Sequence, residues 1–305
     1  MNFSHRLRNP QPLLLDGATG SELDRRGADT SLPLWSARAL IEAQALLFQI
    51  HTDYVQAGAE LITANTFRTH RRSLAKGGLG HRARELTFTA VELAKRSGAR
   101  WVAGSLAPLE DCYSPELVPP QAECEAEHAE LAQNLADAGV DVILVETMNT
   151  IREAEAATRA ALSTGRPVLT SFVCRSDGRL FSGERVSAAA QALAPLGVSG
   201  LLINCTPSPS IHQPFTELRE NTPGYLRTGL YANIGHTHDI KGWTNTEDIS
   251  PDGYAALAHQ WLKLGAGFIG GCCGTSPAYI AALKAIINQE AHHSVIKTPG
   301  SERTL

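Results

Sequence analysis

Eight times along this chain, a short run of β-branched and aliphatic residues is followed by a longer stretch with helical spacing and helix-former composition. That alternation demands parallel strands joined by crossover helices, since a chain that re-enters a sheet in the same direction needs a connection long enough to return. The strands read as Leu13 to Asp16, Glu60 to Asn65, Trp101 to Ser105, Val142 to Glu146, Val168 to Val173, Gly200 to Asn204, Leu226 to Ala232 and Phe268 to Gly271. Segments such as Ala37 to Ala57, Arg82 to Ser97, Ala122 to Ala138, Ile151 to Thr164, Ala188 to Leu196, Tyr254 to Leu264 and Pro277 to Asn288 read as helices. Gly58, Gly139, Gly165 and Gly265 stand where a helix-ending glycine belongs.

Eight such units in 305 residues fit an α/β fold of the (β/α)8 TIM barrel type, whose functional residues stand at the C-terminal ends of the strands. An open doubly wound sheet is the alternative. Gly17, Gly20 and the residues after them do not complete the G-x-G-x-x-G fingerprint that would favour it. The length suits a single barrel domain over 1–305, with a loose tail expected from about His292, where the apolar periodicity ends.

A formal net charge of −4, with no long basic run, argues against nucleic acid or an anionic membrane as partner and for a small molecule. Residues Met1 to Pro12 are polar, and Leu13 to Leu15 is too short for a signal peptide's apolar region. No stretch approaches the roughly 20 apolar residues that span a bilayer. A cytoplasmic location is expected, and the oligomeric state is left open.

Six cysteines, at 112, 124, 174, 205, 272 and 273, follow no framework of the kind that staples small secreted domains, so thiols are expected. In a barrel, Cys205 falls just after the sixth strand and Cys272 and Cys273 just after the eighth, all on the catalytic rim. Three thiolates there supply three corners of a tetrahedral zinc site and leave the fourth open, as in catalytic rather than structural zinc. Taken alone, Cys205 reads more readily as a small buried apolar residue, and the Cys272-Cys273 pair as accidental packing.

The flanking residues decide between these readings. The run Gly270-Gly271-Cys272-Cys273-Gly274-Thr275-Ser276-Pro277 lets backbone approach a ligand closely, and Thr275 or Ser276 can cap the final helix. Together with Ile203-Asn204-Cys205-Thr206 and Leu15-Asp16-Gly17-Ala18-Thr19-Gly20, it closely resembles the homocysteine S-methyltransferase family, over about Leu13 to Ile287. The resemblance implies Zn2+ held by Cys205, Cys272 and Cys273, with homocysteine sulfur as the fourth ligand, and methionine as product.

Such a metal suits methyl transfer to sulfur, because an alkyl thiol of pKa about 8.5 is mostly protonated at neutral pH whereas a coordinated one is deprotonated. The donor is then an onium ion or an activated folate. By resemblance, Glu146 in Val145-Glu146-Thr147 grips the ammonium of the substrate with support from Asp16, while backbone N–H groups near Gly17 and Ala18 take its carboxylate. A proton-transfer pair in a barrel lyase is the competing role for Asp16 and Glu146.

Asn204 reads either as a residue that orients a ligand sulfur or as a turn former. Thr66 and Asn233, at the ends of strands two and seven, are expected to line the pocket. Trp35, in Leu32-Pro33-Leu34-Trp35-Ser36, either holds a cationic methyl donor by cation–π attraction or serves as a hydrophobic staple. Its setting looks like the branch that uses S-methylmethionine. The betaine-using branch carries a tyrosine shortly after strand two, where Thr66-Phe67-Arg68-Thr69-His70 offers a histidine. His236 and His238 read as a solvated loop or donor-pocket wall rather than metal ligands, and Cys112, Cys124 and Cys174 as ordinary thiols.

Overall fold

The computed structural model describes residues 3–238, 242–244 and 249–296. Eight parallel strands form the barrel: β1 (Leu13–Leu14), β2 (Leu61–Ala64), β3 (Trp101–Leu106), β4 (Val142–Met148), β5 (Val168–Phe172), β6 (Gly200–Pro207), β7 (Arg227–Asn233) and β10 (Phe268–Gly271). A short antiparallel hairpin, β8 (His236–His238) and β9 (Gly242–Thr244), intervenes where the sequence suggested a plain loop. The barrel order is β1-β10-β7-β6-β5-β4-β3-β2. A parallel bridge between Leu15 and Leu61 joins the two ends, reinforced by Asp16 N–H donating to the Leu61 carbonyl at 3.1 Å.

Near-continuous apolar strands are what a sheet buried on both faces requires. The strands bury one set of side chains, including Leu13, Leu15, Leu61, Leu144, Leu169, Leu202 and Phe268, in the barrel interior. The alternate set, including Leu14, Ile62, Ile143, Val145, Leu201 and Ile269, packs outward against the helices. Each fully buried aliphatic side chain contributes about 1.5–3 kcal/mol, so the two layers together favour closure over an open sheet.

A helix at Phe3–Leu7 lies where only polar character was read, and its Phe3 ring meets Trp101 edge-on at 5.6 Å among the interior side chains. Arg6 locks that helix to Glu60 with contacts of 2.8 and 2.9 Å. A further helix, His212–Glu220, follows β6.

The glycines expected to end helices do so: Gly58, Gly139, Gly165 and Gly265 take φ of 103°, 79°, 75° and 88°. Two expectations change. The segment Ala37 to Ala57 is broken at Ala43 (φ −142°), where the Gln44 side chain donates to the Leu40 carbonyl at 2.6 Å and competes with the helical ladder. The last helix runs from Pro277 to Ile296, past the tail expected from about His292, with no proline before Pro299 to stop it. No helix among the described residues is long and apolar enough to cross a membrane.

Candidate active site

At the C-terminal ends of the strands, Cys205, Cys272 and Cys273 bring their sulfurs within 4.8 Å of one another. The Cys205 and Cys273 sulfurs are 3.8 Å apart. All six cysteines of the chain are unpaired. Three soft sulfur donors converging from two strands form a group able to hold a metal ion.

The loop after β10 approaches so closely because Gly271 has no side chain: a Cβ there would sit 2.3 Å from the Thr275 hydroxyl. That hydroxyl donates to the Cys272 carbonyl at 2.7 Å and accepts from Ala18 N–H at 3.2 Å, joining the loops after β1 and β10. Thr275 is therefore engaged between loops rather than in capping the helix after it. The Ala18 N–H, expected to receive a substrate carboxylate, is already committed to that hydroxyl.

Cys205 adopts φ of 52°, and Thr147 on β4 adopts 61°, left-handed conformations that β-branched and thiol side chains rarely take. Both lie at register shifts in the ladder, between Asn204 and Pro207 and between Val145 and Met148. Asn204 holds the two distortions together. Its Oδ1 accepts from Thr147 N–H at 3.0 Å and from the Ser171 hydroxyl at 2.7 Å, and its Nδ2 donates to the Thr147 hydroxyl at 2.8 Å. Asn233 Nδ2 donates to the Cys205 carbonyl at 2.9 Å from the other side. Asn233 thus holds the backbone that carries the Cys205 sulfur, while Asn204, the residue before it, ties that strand end to Thr147 and Ser171.

In the cluster the Cys205 thiol is held well below its usual range because the thiols of Cys272 and Cys273 hydrogen-bond to its sulfur. The same contacts push Cys272 and Cys273 well above it, so the first thiolate belongs to Cys205. The Tyr113 hydroxyl, 3.2 Å from that sulfur, adds a further partner.

Beside the sulfurs opens a cavity of about 570 Å³. Two carboxylates, on Asp16 and Glu146, stand in its wall. Glu146 accepts from the Ser105 hydroxyl and, at 2.9 Å, from the Tyr231 hydroxyl. Burial raises its pKa to about 7 against these stabilising contacts. Asp16 accepts from Thr63 N–H at 2.8 Å and from the Thr63 hydroxyl at 3.0 Å, and burial raises it to about 8, with a smaller push from Glu146. Trp35 also lines the cavity, its ring meeting Phe67 edge-on at 5.7 Å. Gly20 leaves room for that indole, since a Cβ would lie 2.3 Å from it.

Residues 13–287 match the sequence model of the family described as homocysteine S-methyltransferase. The chain belongs to the homocysteine S-methyltransferase family. The homocysteine S-methyltransferase of Escherichia coli (strain K12) is 32% identical over 297 residues, spanning 90% of this chain and 94% of that protein. Homocysteine S-methyltransferase 1 of Zea mays is 30% identical over 316 residues, covering 92% and 95% of the two chains. The metallated crystal form of the Escherichia coli homocysteine methyltransferase MmuM superposes with a TM-score of 0.78 at 29% identity, over 93% of this chain and 98% of that one.

Of the residues singled out in the sequence, Asp16, Gly17, Ala18, Trp35, Glu146 and the three cysteines line one cavity. Thr66, Asn204 and Asn233 do not. Thr66 is fully buried with its hydroxyl on the Ser105 carbonyl at 2.8 Å, Asn204 is engaged by Thr147 and Ser171, and Asn233 Nδ2 is held by the Cys205 carbonyl. His70 is buried too, its Nδ1 accepting from Ser73 N–H at 3.3 Å as the cap of the helix Arg71–Ala75, away from the cavity. The side chains of His236 and His238 lie outside the described residues.

Sequence reasoning missed Tyr113, Ser105, Thr63 and Tyr231. Ser105 and Tyr231 end or lie in strands read correctly, and their inward alternation was a usable signal. Tyr113 comes from an irregular loop after β3, where only the fold brings it to Cys205. Cys112, read as an ordinary thiol, lines the cavity as well, where burial keeps it protonated.

Proposed function

We propose that this protein transfers a methyl group from a small onium donor to the thiol sulfur of L-homocysteine, with zinc held by Cys205, Cys272 and Cys273. The observation that carries the reading is the convergence of three cysteine sulfurs beside a cavity bearing two buried carboxylates. The donor set fits the metal. A tetrahedral site with zinc–sulfur bonds of about 2.3 Å places its sulfurs about 3.8 Å apart, the separation of Cys205 and Cys273. Bound zinc supplies a fourth position that favours the acceptor's thiolate over its thiol.

Glu146, braced by two hydroxyls, receives the ammonium of the acceptor, and Asp16 adds negative potential on the same side. The amino-acid end is thereby fixed while its sulfur points at the cysteine cluster. Trp35 and Phe67 present aromatic surface to a cationic donor. In the transfer one carbon–sulfur bond forms to the acceptor as the donor's bond to the same methyl breaks, its electron pair staying on the departing neutral sulfur. No covalent attachment to the protein is needed, so the chain's work is alignment and exclusion of water. S-Methylmethionine or S-adenosylmethionine are the favoured donors, acting in the cytoplasm.

Two carboxylates near neutrality also suit proton transfer in a barrel lyase, the second reading. A donor panel separates them. Purified protein is incubated with homocysteine and each of S-methylmethionine, S-adenosylmethionine, betaine and methyltetrahydrofolate, with methionine read by mass spectrometry and bound metal by elemental analysis. Methionine from an onium donor and about one zinc per chain are expected. Failure of every donor removes the methyl-transfer reading.

A further inference from the structure

Among the described residues two cations line the cavity, Arg68 and Lys76. Lys76 is neutralised by Glu110, which Arg72 also reaches. Arg68 differs: among the described residues it has no ion pair or hydrogen bond, and its Nε is sealed from solvent without a partner. The carboxylate of Asp111, in the same cavity wall, is turned to its own loop, accepting from Tyr113 N–H at 3.0 Å and the Ser114 hydroxyl at 3.4 Å.

Arg68 is half-buried, and its Nε, stripped of water without an acceptor, is a standing cost to the fold that an arriving anion would remove. Its planar fork matches a carboxylate through two parallel hydrogen bonds, which an ammonium does not offer. The guanidinium carbon lies 5.7 Å from the centre of the Phe67 ring, and Phe67 in turn packs on Trp35. The unpaired cation therefore belongs to the aromatic side of the cavity, where the onium sits, while Asp16 and Glu146 mark the acceptor's side.

We propose that Arg68 is a specificity-determining residue that clamps a carboxylate of the methyl donor, so that the site selects onium donors bearing an acid group over onium ions without one. This rests on the methyl-transfer reading. A donor of that class is held at two points, its cationic centre against Trp35 and Phe67 and its carboxylate on Arg68, which fixes the direction in which the methyl group faces the acceptor sulfur.

The test is calorimetric binding to the zinc-loaded full chain and to its Arg68→Gln and Arg68→Lys variants, using S-methylmethionine, its carboxamide and homocysteine. Arg68→Gln should weaken S-methylmethionine by about 10–100-fold, the worth of a charge-assisted hydrogen bond pair, and leave the carboxamide and homocysteine unchanged. Arg68→Lys should restore part of the loss. Unchanged homocysteine binding also certifies that the variants are folded. Equal weakening of acid and amide overturns the proposal, as does weakening of homocysteine alone, which would assign the clamp to the acceptor. So does absence of any preference for the acid over the amide in the unaltered protein. Failure of all donors to yield methionine would instead sink the methyl-transfer reading, while the acid-against-amide comparison still judges Arg68.

Discussion

Replacing Glu146 by glutamine should make the metal-free protein more stable at alkaline pH while removing its grip on the acceptor. Burial lifts this carboxyl from its ordinary 4.5 to about 7 in the fold, despite hydrogen bonds from Ser105 and Tyr231. A raised acid pKa means that the native state binds the proton more tightly than the unfolded chain. The glutamate is then without penalty below about pH 4.5, costs increasing stability between 4.5 and about 7, and reaches its full cost above that. At about 1.4 kcal/mol for each tenfold difference in proton affinity, that cost is roughly 3 kcal/mol at pH 8. Glutamine keeps the shape and carries no charge, and losing that charge also eases the ionisation of Asp16, in the same direction. Urea unfolding of both proteins at pH 5 and pH 8 reads the difference: the variant's advantage should grow by a few kcal/mol between them. Homocysteine binding in the unaltered protein should tighten as pH rises through 7, and the variant should keep only the part of that dependence that comes from ionising the substrate's thiol. An advantage that does not change between pH 5 and 8 would refute the claim that Glu146 is a desolvated carboxylate kept for a ligand.

Three further changes probe the sulfur cluster and its supports. Cys272→Ala leaves two protein sulfurs and should strip most zinc and abolish transfer; full metal content by elemental analysis would exclude this residue from the site. Asn204→Ala removes the clamp on Thr147 and Ser171 from the residue beside Cys205, so zinc affinity should fall about 10–100-fold, measured by competition with a chelator. Gly20→Ala drives a methyl group into the Trp35 indole, and donor KM should rise with homocysteine affinity unchanged in steady-state kinetics.

Much of the barrel could be read before any coordinates. Strand and helix alternate because a sheet covered on both faces needs unbroken apolar runs, and that requirement is written locally, as are the glycines that stop Gln44–Gln56 and Gln121–Ala138. Local reading failed where a side chain overrode propensity, as Gln44 does at Ala43, or where a polar run such as 3–7 becomes helical only by placing Phe3 beneath the barrel.

The cysteines were legible from their motifs, since Asn-Cys and Gly-Gly-Cys-Cys-Gly each follow a strand and so fall on one rim of the barrel. Their convergence, and the wall of Asp16, Glu146 and Trp35, follow from strand order. What the order could not show is which polar residues face the ligand and which hold the frame. Asn204 and Asn233 sit at strand ends like Glu146 yet turn to the frame, because bulges in β4 and β6 leave the Thr147 amide and the Cys205 carbonyl to be satisfied there, while Thr66 is spent on the Ser105 carbonyl of β3. Tyr113 reaches Cys205 across 92 positions, and among the described residues Arg68 has no partner, since Glu110 is taken by Lys76 and Asp111 by its own loop. Composition chose the types of residue; hydrogen-bond competition in three dimensions decided which of them remain available to a substrate.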